Sequence, residues 1–197
     1  MLTIGVTGHR FLRHTDRVIA GVDRAIDRIE DAFGAHPSAV ISALAEGADR
    51  LVVDRVLARS EAKLIIALPL PQSDYTRDFD SSESIQMFLD FLARAHSVIT
   101  LPLAATRNEA YAAAGVYVLD HCDALIAVWD GQPAQGTGGT AEIVAEARRR
   151  GLPLAWVRAG NNRPGTRHPV TLNEEHGEVI FERFPVIGSQ RGHPHGP

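Results

Sequence analysis

An apolar stretch ending in Val128 and Trp129 passes through Asp130 and Gly131 and reaches Gly136-Thr137-Gly138-Gly139-Thr140-Ala141-Glu142, where glycines give way to a helix-forming run. That order of residue types suits an anion. Glycine lets the backbone approach closely, and the first N–H groups of a helix face the bound oxygens at the positive end of its dipole. We expect a phosphate cradle at Gly138, Gly139 and Thr140, with Asp130 beside it. A second glycine turn closes the first strand, Leu2-Thr3-Ile4-Gly5-Val6, at Thr7-Gly8-His9-Arg10. Loops that follow different strands of a parallel sheet converge beyond their carboxyl ends, so both turns are expected at one crevice.

Within that crevice, Gly8 gives the turn its freedom and Arg10 is the stronger phosphate ligand, because its planar fork is permanently charged and contacts two oxygens. His9 is a donor whose charge depends on pH. After the second apolar segment, Val40 to Ala43, come Leu44-Ala45-Glu46-Gly47-Ala48-Asp49. Ser42 and Glu46 are candidates for a ribose or a base edge, Gly47 for close backbone approach, and Asp49 for a first-turn helix acid. Thr106-Arg107-Asn108-Glu109 follows the fourth segment. Arg107 and Asn108 are further ligand candidates, while Glu109 reads as compensation of a helix dipole. Glu142 has two readings, the same dipole compensation or a catalytic carboxylate. The terminal His193 and His195 lie among Gly and Pro without a carboxylate or thiolate partner, and no grouping has metal-ligand spacing.

The elements that must position these residues alternate. Short apolar runs near 2–7, 39–43, 63–68, 97–101, 123–129 and 153–157 read as strands. Val18, Ile19, Val22, Ala25, Ile26 and Ile29 recur at helical spacing after Thr15, an expected N-cap, and further helices are expected over 48–59, 82–95, 108–121 and 140–150. Residues 68–75 read as a loop. The pattern predicts an α/β, Rossmann-like, doubly wound and mostly parallel sheet of about six or seven strands with helices on both faces. It divides the chain into a nucleotide-binding domain, 1–159, and a loosely packed, partly disordered extension, 160–197, interrupted by an edge strand at Val179-Ile180-Phe181.

With 197 residues and a formal net charge of −4, the chain has no global attraction to nucleic acid or anionic lipid, and its aromatic content of 6% is sparse for stacking bases. Cys122, the one cysteine, cannot form an internal disulfide and reads as a small buried hydrophobe. No secretory-signal pattern opens the sequence and no apolar run approaches the roughly 20 residues needed to span a bilayer, so a cytoplasmic location is expected.

Taken together, Gly5-Val6-Thr7-Gly8-His9-Arg10, Ser42 to Asp49, Arg107-Asn108 and Gly138-Gly139-Thr140-Ala141-Glu142 resemble the SLOG superfamily over residues 2–158. That superfamily groups DprA (Smf), LOG-type phosphoribohydrolases and nucleotide-sensing domains of bacterial conflict systems. The resemblance implies a homo-oligomer that binds a nucleotide or nucleotide-derived ligand and needs no other cofactor, with phosphate at Gly138, Gly139 and Thr140. Aligned on Gly139-Thr140, the LOG catalytic carboxylate falls on Ile143, and Glu142 stands one residue before it. A nucleotide sensor is therefore the first expectation. The alternatives are an N-glycosidase or deoxyribosyltransferase-like enzyme using Glu142 or Glu46, and a DprA-like single-stranded DNA binder.

Overall fold

A strand such as Ala124–Trp129, apolar on both sides, is stable only with helices over both faces of its sheet, and that demand organises the chain. The computed structural model describes residues 1–12, 15–133, 139–161 and 175–185. One sheet contains β1 (Thr3–Gly8), β2 (Ala39–Ser42), β3 (Lys63–Leu68), β4 (Ser97–Thr100), β5 (Ala124–Trp129), β6 (Leu154–Arg158) and β7 (Val179–Glu182), in the order β4-β3-β2-β1-β5-β6-β7. The strands from β4 across to β6 are parallel, and β7 pairs antiparallel to β6. This is the expected Rossmann-like, doubly wound α/β fold.

The helices are α1 (Thr15–Phe33), α2 (Ala48–Arg59), α3 (Gln72–Tyr75), α4 (Ser82–Arg94), α5 (Arg107–Asp120) and α6 (Thr140–Arg150). Helix α1 also buries Gly21 and leaves Ile19 half-buried; of the 3.6-residue stripe read from sequence it buries Val18, Val22, Ala25, Ile26 and Ile29. With Val52, Val53 and Phe88 they form one core against Ile4, Leu64, Ile66 and Ile126. On the opposite face Val118, Leu119, Ile143, Val144 and Ala147 cover Ile41, Leu125, Ala127, Trp129 and Leu154. Each fully buried aliphatic side chain contributes about 1.5–3 kcal/mol. Cys122 packs against this second core, and burial pushes its thiol up to about 12.

Two local expectations change. Residues 72–75, read as loop, make a helical turn that continues into a 3-10 turn at Thr76–Asp78. The N–H groups of Asp74 and Tyr75 both donate to the Pro71 carbonyl at 2.9 Å, and Tyr75 is buried; one anchored aromatic suffices to close so short a turn. Thr15 is the first helical residue of α1 rather than its cap.

The segment Val179–Glu182 forms the anticipated edge strand and completes the same sheet as residues 1–159. Its approach is fixed by two glycines. Gly177 has φ +84, where a Cβ would lie 2.1 Å from the Arg17 carbonyl oxygen, and a Cβ on Gly21 would lie 2.4 Å from the Gly177 carbonyl oxygen. The Arg24 guanidinium donates to that same carbonyl at 2.7 Å. Gly177→Ala should therefore lower stability by about 1–3 kcal/mol through overpacking and left-handed strain, read as a reduced urea midpoint. An unchanged midpoint would show that β7 does not depend on this approach.

Candidate functional site

Strands β1 and β5 are neighbours, but the chain leaves β1 towards β2 on one side and β5 towards β6 on the other. Their carboxyl ends therefore open a crevice, the topological switch point where open α/β sheets take ligands. The last rung is the His9 N–H, which donates to the Val128 carbonyl at 3.0 Å. Beside it Gly8 leaves no room for a side chain, since a Cβ there would lie 2.4 Å from the Ala48 Cβ and 2.7 Å from the Val128 carbonyl oxygen. The loop after β2 docks on the same turn. Gly47 adopts φ +78, a Cβ on it would lie 2.1 Å from the Arg10 carbonyl oxygen, and the Ala48 N–H donates to the His9 carbonyl at 3.0 Å. Gly8, His9, Arg10, Glu46 and Gly47, separated by 36 or more residues between their two groups, thus form one surface.

Across the crevice the buried Asp130 meets His9. Its Oδ1 and its backbone nitrogen each lie 3.2 Å from His9 Nε2, so the ring accepts from the Asp130 N–H or donates to the carboxylate according to its tautomer. The Gln132 N–H also donates to Oδ1, at 3.0 Å. Burial acts to raise this carboxyl, but the bonds from His9 and Gln132 outweigh it and hold it below the usual range. The following loop is steered by Trp156, whose indole N–H donates to the Trp129 carbonyl at 3.0 Å. At φ +82, Gly131 lies so close that a Cβ would meet the Trp156 ring at 2.8 Å.

Arg10 and Arg107 are brought together, though not as free cations. The Arg10 guanidinium bonds the Glu46 carboxylate, donates to the Asp78 carbonyl at 2.6 Å and lies 3.7 Å from Asp80. Glu46 further accepts from the Ser84 hydroxyl and from the Asp80 N–H at 2.9 Å. Burial raises the Glu46 carboxyl, and these donors more than offset it, leaving it lowered. Arg107 reaches the same segment from the other side: it contacts Asp74 Oδ2 at 3.3 Å, the Asp74 carbonyl at 3.0 Å and the Asp78 carboxylate at 3.1 Å. The Tyr111 hydroxyl donates to Asp78 as well. Glu109 completes a capping box with Thr106 at the start of α5, the helix-terminus role anticipated for it. Asn108 is exposed on that opening turn.

Ser42 serves the fold. Fully buried, it donates its hydroxyl to Asp49 Oδ2 at 2.7 Å and accepts the Leu44 N–H at 2.8 Å, which supports Leu44 at φ +56. No face of it is left for a ribose. Asp49 stands in the first turn of α2, where a helix acid was expected, only 5% exposed. Burial pushes its carboxyl up to about 7 against the Ser42 hydroxyl, the Ala43 and Ala45 N–H groups and the Arg50 charge, all of which lower it. Arg50 is equally buried: its Nε donates to the Leu44 carbonyl at 3.1 Å and its guanidinium stacks over Phe79 at 4.4 Å.

The remaining candidates lie at α6. Gly139 is its N-cap and brings no side chain to the first N–H groups, and an added Cβ there would meet nothing within 4 Å among the described residues. Thr140 opens the helix; Gly138 lies outside the described residues, as do His193 and His195. Glu142 lines a groove of about 320 Å³ between α5 and α6, with Ala112, Val116, Ile143 and Glu146. Among the described residues no group of three or more His, Cys, Asp and Glu could hold a metal ion. Nor is any helix there long and apolar enough to cross a membrane.

Asp74, Asp78, Asp80, Ser84 and Tyr111 were not singled out in the sequence. The available signal was three acids, Asp74, Asp78 and Asp80, in the connection after a strand, at the sheet edge that also receives Arg10 and Arg107.

Because folding raises the Asp49 carboxyl, its contribution to stability is complete below the unfolded value near 4 and is lost as pH rises through about 7. Urea midpoints measured from pH 5 to pH 8 should fall more steeply for the unsubstituted protein than for Asp49→Asn. Parallel slopes would place the ordinary carboxylate, already ionised, at this site.

No family model and no curated protein matches the chain, and the geometry of this sheet edge is what bears on function.

Proposed function

We propose that the protein binds a nucleotide or nucleotide-derived ligand at the carboxyl edge of its sheet and acts as a sensor or regulatory domain. One observation carries this: at the topological switch point, the helix that follows β5 opens on a bare glycine cap, and among the described residues nothing lies within 4 Å of the place a Cβ would take. An anion placed there gains hydrogen bonds from backbone donors without displacing a side chain of the described residues. The His9–Asp130 pair gives the adjacent wall a donor and an acceptor for a sugar hydroxyl or base edge.

Backbone amides take the phosphate first in this arrangement, since Arg10 and Arg107 both begin paired with carboxylates. The polar groups at the crevice hold one another in place without forming a nucleophile-and-base set, which suits recognition better than turnover. Glu142, the candidate catalytic carboxylate, belongs to the wall of the α5–α6 groove. Chromatography of the products after incubation with each bound nucleotide tests this directly: no free base should appear, and release of base would make the protein a glycosidase.

A thermal-shift panel of mononucleotides, dinucleotides and cyclic nucleotides should contain at least one ligand that raises the melting temperature. At 100 times its dissociation constant such a ligand adds about 2.7 kcal/mol, or several degrees for a chain of this size. At φ −90, and with nothing among the described residues within 4 Å of an added Cβ, Gly139 tolerates a side chain without backbone strain. Gly139→Val should stay folded yet bind about tenfold more weakly or worse, the worth of one hydrogen bond to a charged group. Unchanged affinity in that variant would remove the phosphate from the start of α6.

A further inference from the structure

The segment from Asp74 to Asp80 does something that no loop requirement explains: it engages both arginines of the sheet edge at once. Asp78 alone receives the Arg10 guanidinium on its main-chain carbonyl and the Arg107 guanidinium on its carboxylate. Asp74 adds a second carboxylate and a carbonyl to Arg107, and Asp80 stands 3.7 Å from Arg10. Beneath these acids the segment is pinned by aromatic rings. Tyr75 packs edge-on against Phe79 at 5.1 Å and Phe88 at 5.8 Å, and Tyr111 lies 6.2 Å away. Its apolar side is thus built into the core while its acidic side faces the sheet edge.

We infer that residues 74–80 form an acidic strap that occupies the anion-binding arginines in the empty protein and is displaced from them when a ligand's phosphate arrives. This rests on the nucleotide reading above and adds its regulation. The strap's contacts are of the replaceable kind: the side chains of Arg10 and Arg107 are 38% and 43% exposed, those of Asp78 and Asp74 24% and 34%. Ion pairs so open to water are weak, and a doubly charged phosphate at the same distance competes with a single carboxylate on favourable terms. Arg10 keeps Glu46 throughout, because that carboxylate is also held by the Ser84 hydroxyl of α4, outside the strap. Arg107, which hydrogen-bonds Asp74 and Asp78 of the strap, is the cation that changes hands. Movement of the strap then converts occupancy of the crevice into a change at the protein surface, which is what a sensor requires.

The test is calorimetric titration with pyrophosphate at fixed ionic strength. Asp78→Asn removes the charge but keeps an oxygen acceptor for Tyr111; it should bind pyrophosphate about threefold to tenfold more tightly than the unsubstituted protein. Asp74→Asn serves as the second variant, with the same direction expected. In the unsubstituted protein, hydrogen exchange of amides 74–80 should accelerate when pyrophosphate is bound. Equal or weaker binding by both variants, or exchange that is unchanged or slower, overturns the strap while leaving nucleotide binding intact. If neither the unsubstituted protein nor the variants bind pyrophosphate or any nucleotide of the thermal-shift panel, nucleotide binding itself fails, and the strap with it.

Discussion

Glu46 is the constraint on which the sheet edge depends. Its carboxylate is only 11% exposed and would be costly without partners, and the partners it takes come from three places: Arg10 after β1, the Asp80 N–H beyond β3, and the Ser84 hydroxyl in α4. One charge thereby ties together loops that enter the edge from different strands. The cost of leaving it unpaired is what keeps the Arg10 side chain turned inward, and this in turn brings Arg10 against Asp78. Two arginines, Arg10 and Arg107, face four acids there, Glu46, Asp74, Asp78 and Asp80, so the edge is acidic and its cations are committed. In the proposed function, the first attraction for an anionic ligand therefore lies in backbone dipoles at α6 and not in a field of free guanidinium groups.

The second constraint is topological. Reversal of strand order between β1 and β5 separates the continuations of two strands that are hydrogen-bonded up to His9 and Val128. Whatever follows those strands must line a gap. His9 and Asp130 fill its floor with a pair that satisfy one another, so the gap is polar there. Gly8 and Gly47 are required because the loop after β2 is pressed onto the turn after β1 at distances that exclude a Cβ. The glycines of this edge thus serve different ends: Gly8 and Gly47 close the structure, and Gly139 leaves it open.

Most of the architecture was legible in the sequence because it rests on local signals. Doubly apolar runs such as 124–129 can only be covered strands, and the stripe of α1 fixes its buried face. The convergence of Gly8, Arg10, Glu46 and Gly47 also followed from strand order, since all stand just beyond carboxyl ends. What those residues do there was less legible. Ser42 and Glu46 read as ligand contacts because a polar residue after a strand looks the same whether it faces a ligand or another part of the chain. Only long-range partners decide: Asp49 lies seven residues from Ser42, but Ser84 lies 38 from Glu46. The strap was missed for a related reason. Its helical turn is too short to have a period, and its acids gain meaning only opposite Arg10 and Arg107, which arrive from other strands.

In the proposed function, backbone amides at the start of α6 receive a ligand's phosphate. Amide chemical shifts followed by NMR during titration with the nucleotide that most raises the melting temperature test it most directly. The largest perturbations should fall on Gly139, Thr140 and Ala141, with the next on His9 and Asp130. Saturable binding that leaves those amides unmoved while shifting another face of the protein would contradict it.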